Sequence, residues 1–417
     1  MIRRTGSRPG AALLATALLL APGAGAQAAD PADGLWYFDV LNVQAAHDAG
    51  YTGEGVTIAV LDSAVNLDIP TLRDARVELG EQPECSVDGV PEPAESAELD
   101  ALHGTNVVAL LAGTGDGAGA KGVAPGADVL YYRVTSSADD LFCDEGGEPI
   151  ARAIHAAIDA GADIISASLT FGPGDGVREA VARGLARDVV FVTGLDNQDE
   201  LTLGLWSTYL NGGVSVQSID ATGAVQTHES GILGTPAPNV NPDADVSAPG
   251  VGVLIQGTAD AGWDVPALGT GTSYATPIVA GFLAVTAQKY PAATPNQLIQ
   301  SLIRNTGVED HELWYDPANE LGYGIVSLTH LLRVDPTQYP DENPLLDPEG
   351  EPSADEIAEA AAADAATEEP AEPSRPTAGL DLTPVLVSAA VGGGLVLVAG
   401  VVGGIRIAVR RSRRAGS

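Results

Sequence analysis

Cysteine is almost missing from this 417-residue chain: there are two, Cys85 and Cys143, beside one methionine and 20 basic against 56 acidic residues. Two cysteines cannot staple a fold of this length or build a cysteine zinc site, so stability must come from a packed core. In an exported chain such a pair reads as one disulfide, with two buried free thiols as the alternative. The scarcity of Lys and Arg leaves a formal charge of −36. Much of the basic share lies in the two termini, so the body lacks the cationic footprint that nucleic acid or anionic lipid requires. An acid-rich, high-salt proteome would leave the same signature. The metalloprotease arrangement of two histidines around a glutamate is absent too, since His228-Glu229 and His311-Glu312 each lack the second histidine. No metal and no cofactor is expected.

The two ends are not globular. Arg3 and Arg4 precede an apolar stretch from Ala11 to Ala21 and small residues at Ala24-Gly25-Ala26 and Ala26-Gln27-Ala28, the pattern of a secretory signal peptide over 1–28. Residues 384–405 are apolar and uncharged, and Arg406, Arg410, Arg411, Arg413 and Arg414 follow. This segment is long enough to cross a bilayer once, with the basic tail 406–417 cytoplasmic and everything before it outside. Residues 334–383 are dominated by Pro, Glu, Asp and Ala and are expected to form an extended acidic linker, with a short helix around 355–366.

The remaining block, 51–333, alternates short apolar runs with helical patterns. Strands are expected at Val56–Leu61, Val129–Val134, Ile164–Ser168, Val189–Thr193 and Val214–Ile219, and helices at Thr105–Ala112, Pro149–Ala160, Val177–Ala186, Thr276–Lys289 and Pro295–Arg304. Alternation of this kind predicts an α/β fold in three layers, a parallel sheet buried between helices. Residues 29–50 carry Trp36-Tyr37-Phe38, which a loose leader would not need, and are expected to pack on the block.

Three positions carry chemistry. Gly269-Thr270-Gly271-Thr272-Ser273 presents a hydroxyl ahead of an apolar helix; Asp62 ends the first strand; His103 heads the helix that follows. Each alone has an ordinary reading, as a cap or a buried core residue. Together, in the order Asp, His, Ser, they match the order of the subtilisin triad. An α/β-hydrolase would instead place its acid and histidine after the serine, and too little globular chain remains beyond Ser273 for that fold. Gly117-Ala118-Gly119-Ala120-Lys121-Gly122 fits a dinucleotide fingerprint in letters only, because it follows a helix rather than a strand.

The chain resembles the subtilisin-like serine proteases. The likeness runs through Lys121-Gly122-Val123-Ala124-Pro125-Gly126, Gly161-Ala162-Asp163-Ile164-Ile165-Ser166 and Asp245-Val246-Ser247-Ala248-Pro249-Gly250, besides the three positions above, over roughly 51–332. Its two ends resemble those of the mycosins, the membrane-anchored proteases of actinobacterial type VII secretion. The resemblance implies a peptide-bond hydrolase in which Asp62 orients His103, His103 takes a proton from Ser273, and an edge segment Ser168-Leu169-Thr170 grips extended peptide. It implies protein or peptide substrates and secretion-machinery membrane proteins as partners. The family's oxyanion asparagine directly follows the glycine that ends a buried strand. Here Leu195 stands after Gly194, so Asn197 is the expected donor on a loop two residues longer. Ala64, Thr170 and Tyr274 also depart from the usual glycine, glycine and methionine. A low-activity, structural member of the family is the competing reading.

Overall fold

The computed structural model describes residues 33–82, 86–87, 90–135, 148–169, 171, 174–197, 210–230, 235–316, 318 and 320–368. Seven strands form one sheet: β1 Thr57–Asp62, β2 Val77–Leu79, β3 Asp128–Arg133, β4 Ile164–Ala167, β5 Val190–Gly194, β6 Val214–Ile219 and β7 Val246–Pro249. Their order is β7-β6-β5-β4-β1-β3-β2 and every pairing is parallel. The expected alternation is therefore observed. β2 has only three residues, too few for a periodic signal, and β7 lies in a stretch legible only as a family motif.

Besides short helices at Trp36–Val40, Val43–Asp48 and Pro70–Arg73, the described residues form α1 Leu102–Ala112, α2 Glu148–Asp159, α3 Asp175–Ala186, α4 Thr272–Lys289, α5 Pro295–Arg304, α6 Leu328–Arg333 and α7 Ala354–Glu368. β1 shows why the sheet needs two helical layers. Ile58 and Val60 enter a core shared with α1, α4 and α5, while Ala59 and Leu61 enter one shared with α2 and α3, and all four are fully buried. Order reverses at β1, which has β3 on one side and β4 on the other. Ligand sites in such sheets lie beyond the carboxyl ends of the strands at this switch point, and Asp62 ends β1 there.

The segment before β1 is docked. Trp36, Tyr37 and Phe38 are buried, and the Trp36 indole donates to the carbonyls of Val251 and Gly252 at 3.2 and 3.1 Å. Past α6, the chain departs from expectation. The extended linker foreseen from 334 is instead held to the body as far as Glu368. Leu345 is buried, Asn211 donates to the carbonyls of Asp347 and Pro352, and α7 lies along α3. Arg178 pairs with Glu356 at 3.1 Å, and Arg183 and Arg187 pair with Asp364 at 3.1 and 2.6 Å. Composition predicts extension because apolar residues are few here, but the acids find arginines elsewhere in the chain, which composition does not reveal. Among the described residues no helix is long and apolar enough to cross a membrane; the expected signal peptide, the span 384–405, the tail, Thr170, Cys85 and Cys143 lie outside those residues.

Candidate active site

Asp62 is wholly buried at the end of β1, where its Oδ1 accepts from the Ser63 amide and from His103 Nδ1, both at 2.7 Å. A carboxylate can only accept at neutral pH, so Nδ1 carries the proton and Nε2 is left as the basic nitrogen. His103 is the second residue of α1, with its side chain 17% exposed. Burial pushes its pKa down, but the charge of Asp62 and the hydrogen bond to it outweigh that, and the net direction is up. The next residue has to be glycine. A Cβ at Gly104 would stand 1.9 Å from the Tyr131 hydroxyl and 2.6 Å from the Ala64 carbonyl, and that hydroxyl donates to Ser63 at 2.8 Å. Ala64 itself is buried and has no positive φ, so a methyl group fits where the family uses glycine.

Sequence reasoning missed Arg133, which pairs in register with Asp62 across β1 and β3. Its buried guanidinium donates to the Pro93 and Thr135 carbonyls and faces Glu92 at 3.5 Å and Asp100 at 3.7 Å. It thereby ties down the segment that leads into α1.

Ser273 sits inside α4, not in a turn before it: the helix begins at Thr272, four residues earlier than Pro277 and its neighbour suggest. Two tertiary contacts make the early start workable. Gly271, the N-cap, has no side chain to offer, and Asn197 Oδ1 instead accepts from the Thr272 amide at 2.9 Å. Pro277 has no N–H, so the Ser273 carbonyl lacks its helical partner; the Ser168 hydroxyl supplies the bond at 2.8 Å. Of the two flanking glycines, Gly271 is extended, at φ 162°, and Gly269 is required by close approach, since a Cβ there would lie 2.6 Å from the Tyr274 ring.

Tyr274 brings the serine's helix to the histidine: its ring centroid is 6.0 Å from that of His103. The Ser273 hydroxyl, however, donates to the Ser168 carbonyl at 3.3 Å and not to the imidazole. Two donors remain open at the head of α4. Neither the Ser273 amide nor Asn197 Nδ2 bonds any described residue, and Asn197 is exposed. Ser168, which bonds Ser273, is buried, and Leu169, next in the chain, is half-buried. Among the described residues no group of His, Cys, Asp and Glu is placed to hold a metal.

Residues 53–327 match the Subtilase family, and the chain belongs to it. It is 29% identical over 272 residues to the thermostable alkaline protease of Halalkalibacterium halodurans, covering 64% of this chain and 66% of that protein. Fervidolysin from Fervidobacterium pennivorans, a keratinolytic enzyme related to subtilisin, superposes with a TM-score of 0.59 at 25% identity, over 76% of this chain and 49% of that one. The crystal structure of MycP1 from the ESX-1 type VII secretion system superposes with a TM-score of 0.55 at 21% identity, over 75% and 90%. The chain thus spans half to two thirds of the length of the first two relatives.

Proposed function

We propose that this chain is a membrane-anchored, extracytoplasmic serine endopeptidase that serves a type VII secretion system. One observation carries the catalytic part: the Asp62 to His103 hydrogen bond at 2.7 Å, which fixes the imidazole tautomer a general base needs. Rotation of the Ser273 side chain off the Ser168 carbonyl turns its hydroxyl toward Nε2. Ser273 Oγ then attacks the substrate carbonyl carbon as its proton passes to His103. The resulting oxyanion meets the Ser273 amide and Asn197 Nδ2, and imidazolium returns the proton to the leaving amine. Water releases the acyl group by the same steps. Catalytic hydrogen bonds are often unformed before substrate binds, which accommodates the observed serine rotamer.

The secretion context rests on the likeness to MycP1 together with the sequence pattern of a signal peptide over 1–28 and one span over 384–405. Substrate peptide would lie against Ser168, Leu169 and Thr170, and a Cys85 to Cys143 disulfide would form after export. A second reading, a catalytically silent subtilase that stabilises a secretion complex, is favoured by the Ser273 hydroxyl resting on Ser168 and by Leu195 at the usual oxyanion place. A fluorophosphonate probe decides between them, because only an activated serine reacts. We expect labelling of the full chain and none of Ser273→Ala. An unlabelled parent with an intact fold would establish the silent reading.

A further inference from the structure

We propose that Asn239 is a positioning residue for the oxyanion donor, holding the lengthened loop Leu195-Asp196-Asn197 so that the Asn197 carboxamide reaches the head of α4. The inference rests on the proposed role of Asn197 and goes one layer behind it. An asparagine directly after Gly194 would be aimed by the strand itself. Two residues further on it belongs to an exposed loop, where a carboxamide loses its aim unless the backbone beneath is held.

The loop is tied at three successive residues. The Leu195 amide continues the sheet by donating to the Val216 carbonyl at 3.1 Å, and its carbonyl accepts from the Thr272 hydroxyl. The Asn197 side chain accepts from the Thr272 amide. Between them, the Asp196 carbonyl accepts from Asn239 Nδ2 at 3.0 Å. Val216 therefore supplies one of these ties, Thr272 two, and Asn239 the fourth.

Asn239 is itself anchored on both sides of its peptide. Its amide donates to the Gln226 carbonyl at 2.7 Å, and its carbonyl accepts from Gln217 Nε2, a buried side chain of β6. A path of hydrogen bonds thus runs from the central sheet through Gln217 and Asn239 to Asp196, one residue from the donor. The side chain of Asn239 is wholly buried, yet its Oδ1 has no partner among the described residues. An unsatisfied buried acceptor is destabilising, so core packing alone gives no reason for asparagine here; the amide end is what the position uses.

The test is a mutant cycle on the full chain with a fluorogenic peptide that the parent cleaves, reading kcat and KM separately. Asn197→Ala should lower kcat about a hundred- to a thousandfold, the range that removing one such donor gave in subtilisin. Asn239→Ala, which keeps both backbone bonds, should lower kcat about tenfold or more with KM nearly unchanged, since the interaction matters only in the transition state. In the Asn197→Ala background, Asn239→Ala should change kcat less than about twofold, because nothing remains to be aimed. Asn239→Ser retains a short donor and should recover part of the rate; if Asn239→Ala fails to fold, the same cycle run with Asn239→Ser decides. An unchanged kcat in Asn239→Ala, or an equal loss in both backgrounds, would overturn the proposal while leaving Asn197 in its role. No loss in Asn197→Ala would overturn that role and this inference together.

Discussion

His103 feels two opposed influences whose balance sets a measurable pH dependence. Burial disfavours the imidazolium, while the carboxylate 2.7 Å away favours it and prevails. A general base must be neutral, so the acid limb of the kcat/KM profile should have its midpoint above the ordinary imidazole value near 6.5. Asp62→Asn should cut kcat by about 10⁴, as the same change does in chymotrypsin-type enzymes through the wrong tautomer, and should move any remaining limb toward lower pH. The linked stability has a definite sign. A folded pKa raised above the unfolded one contributes fully below the unfolded value and is lost as pH rises through the folded one. The neighbouring glycine gives a steric test: Gly104→Ala forces a carbon into the Tyr131 hydroxyl and should lower stability by several kcal/mol, on the order of the largest single-site effects, measured by denaturant titration. Asp62, His103 and Ser273 stand out in the sequence as candidates by their order and by their places at element edges, and the structure joins the first two by a hydrogen bond. Tyr131 and Arg133 were not, because a residue that acts by bracing another has no pattern of its own in the chain.

Elements reveal where sequence patterns stop. Strands β1, β3, β4, β5 and β6 were readable to within a residue because burial on both faces leaves short, largely apolar runs, with β6 the most interrupted, by Ser215, Gln217 and Ser218. α4 was read four residues short, since Pro277 signals a boundary and the contacts that override it, from Asn197 and Ser168, come from about 75 and 105 residues away. Ser168→Ala removes the hydroxyl that completes the Ser273 carbonyl and should cost about 1–3 kcal/mol by denaturant titration, the penalty for a buried acceptor left unpaired. A second test concerns β7. Asp245, just before it, is buried, and desolvation lifts its pKa to about 7, with Asp243 adding to the rise and the Ser215 amide bond opposing it. Because the folded group holds its proton up to a higher pH than the unfolded one, its ionisation removes stability between about pH 4 and 7. Asp245→Asn should therefore raise Tm more at pH 8 than at pH 4. Equal shifts at both values would contradict the assignment.

At the level of the whole molecule, a charge of −36 looks like pure self-repulsion, yet part of the acidic surplus is used to close the chain on itself. α7 is held through Asp364, whose carboxyl is kept below its usual pKa first by the hydrogen bond from Arg187 and further by Arg183. That contribution is present above the ordinary aspartate pKa and fades as pH falls through the lowered one. Replacing Arg183 and Arg187 together by Ala should loosen 354–368, seen as faster amide exchange confined to that helix, and 1 M salt should reproduce part of the effect by screening. Since ion pairs at a surface are worth up to about 1 kcal/mol each, the rest of the protein should keep its Tm. Unchanged exchange would mean that apolar contact alone seats the helix.

The seating of α7 also alters how far the hydrolytic face could roam if 384–405 enters a bilayer. A leash of 334–383 would extend up to roughly 170 Å at full stretch, whereas 369–383 allows no more than about 50 Å. Under the proposed anchoring, the shorter figure would make such a protease a sentry rather than a free searcher, confined to polypeptides close to the membrane surface.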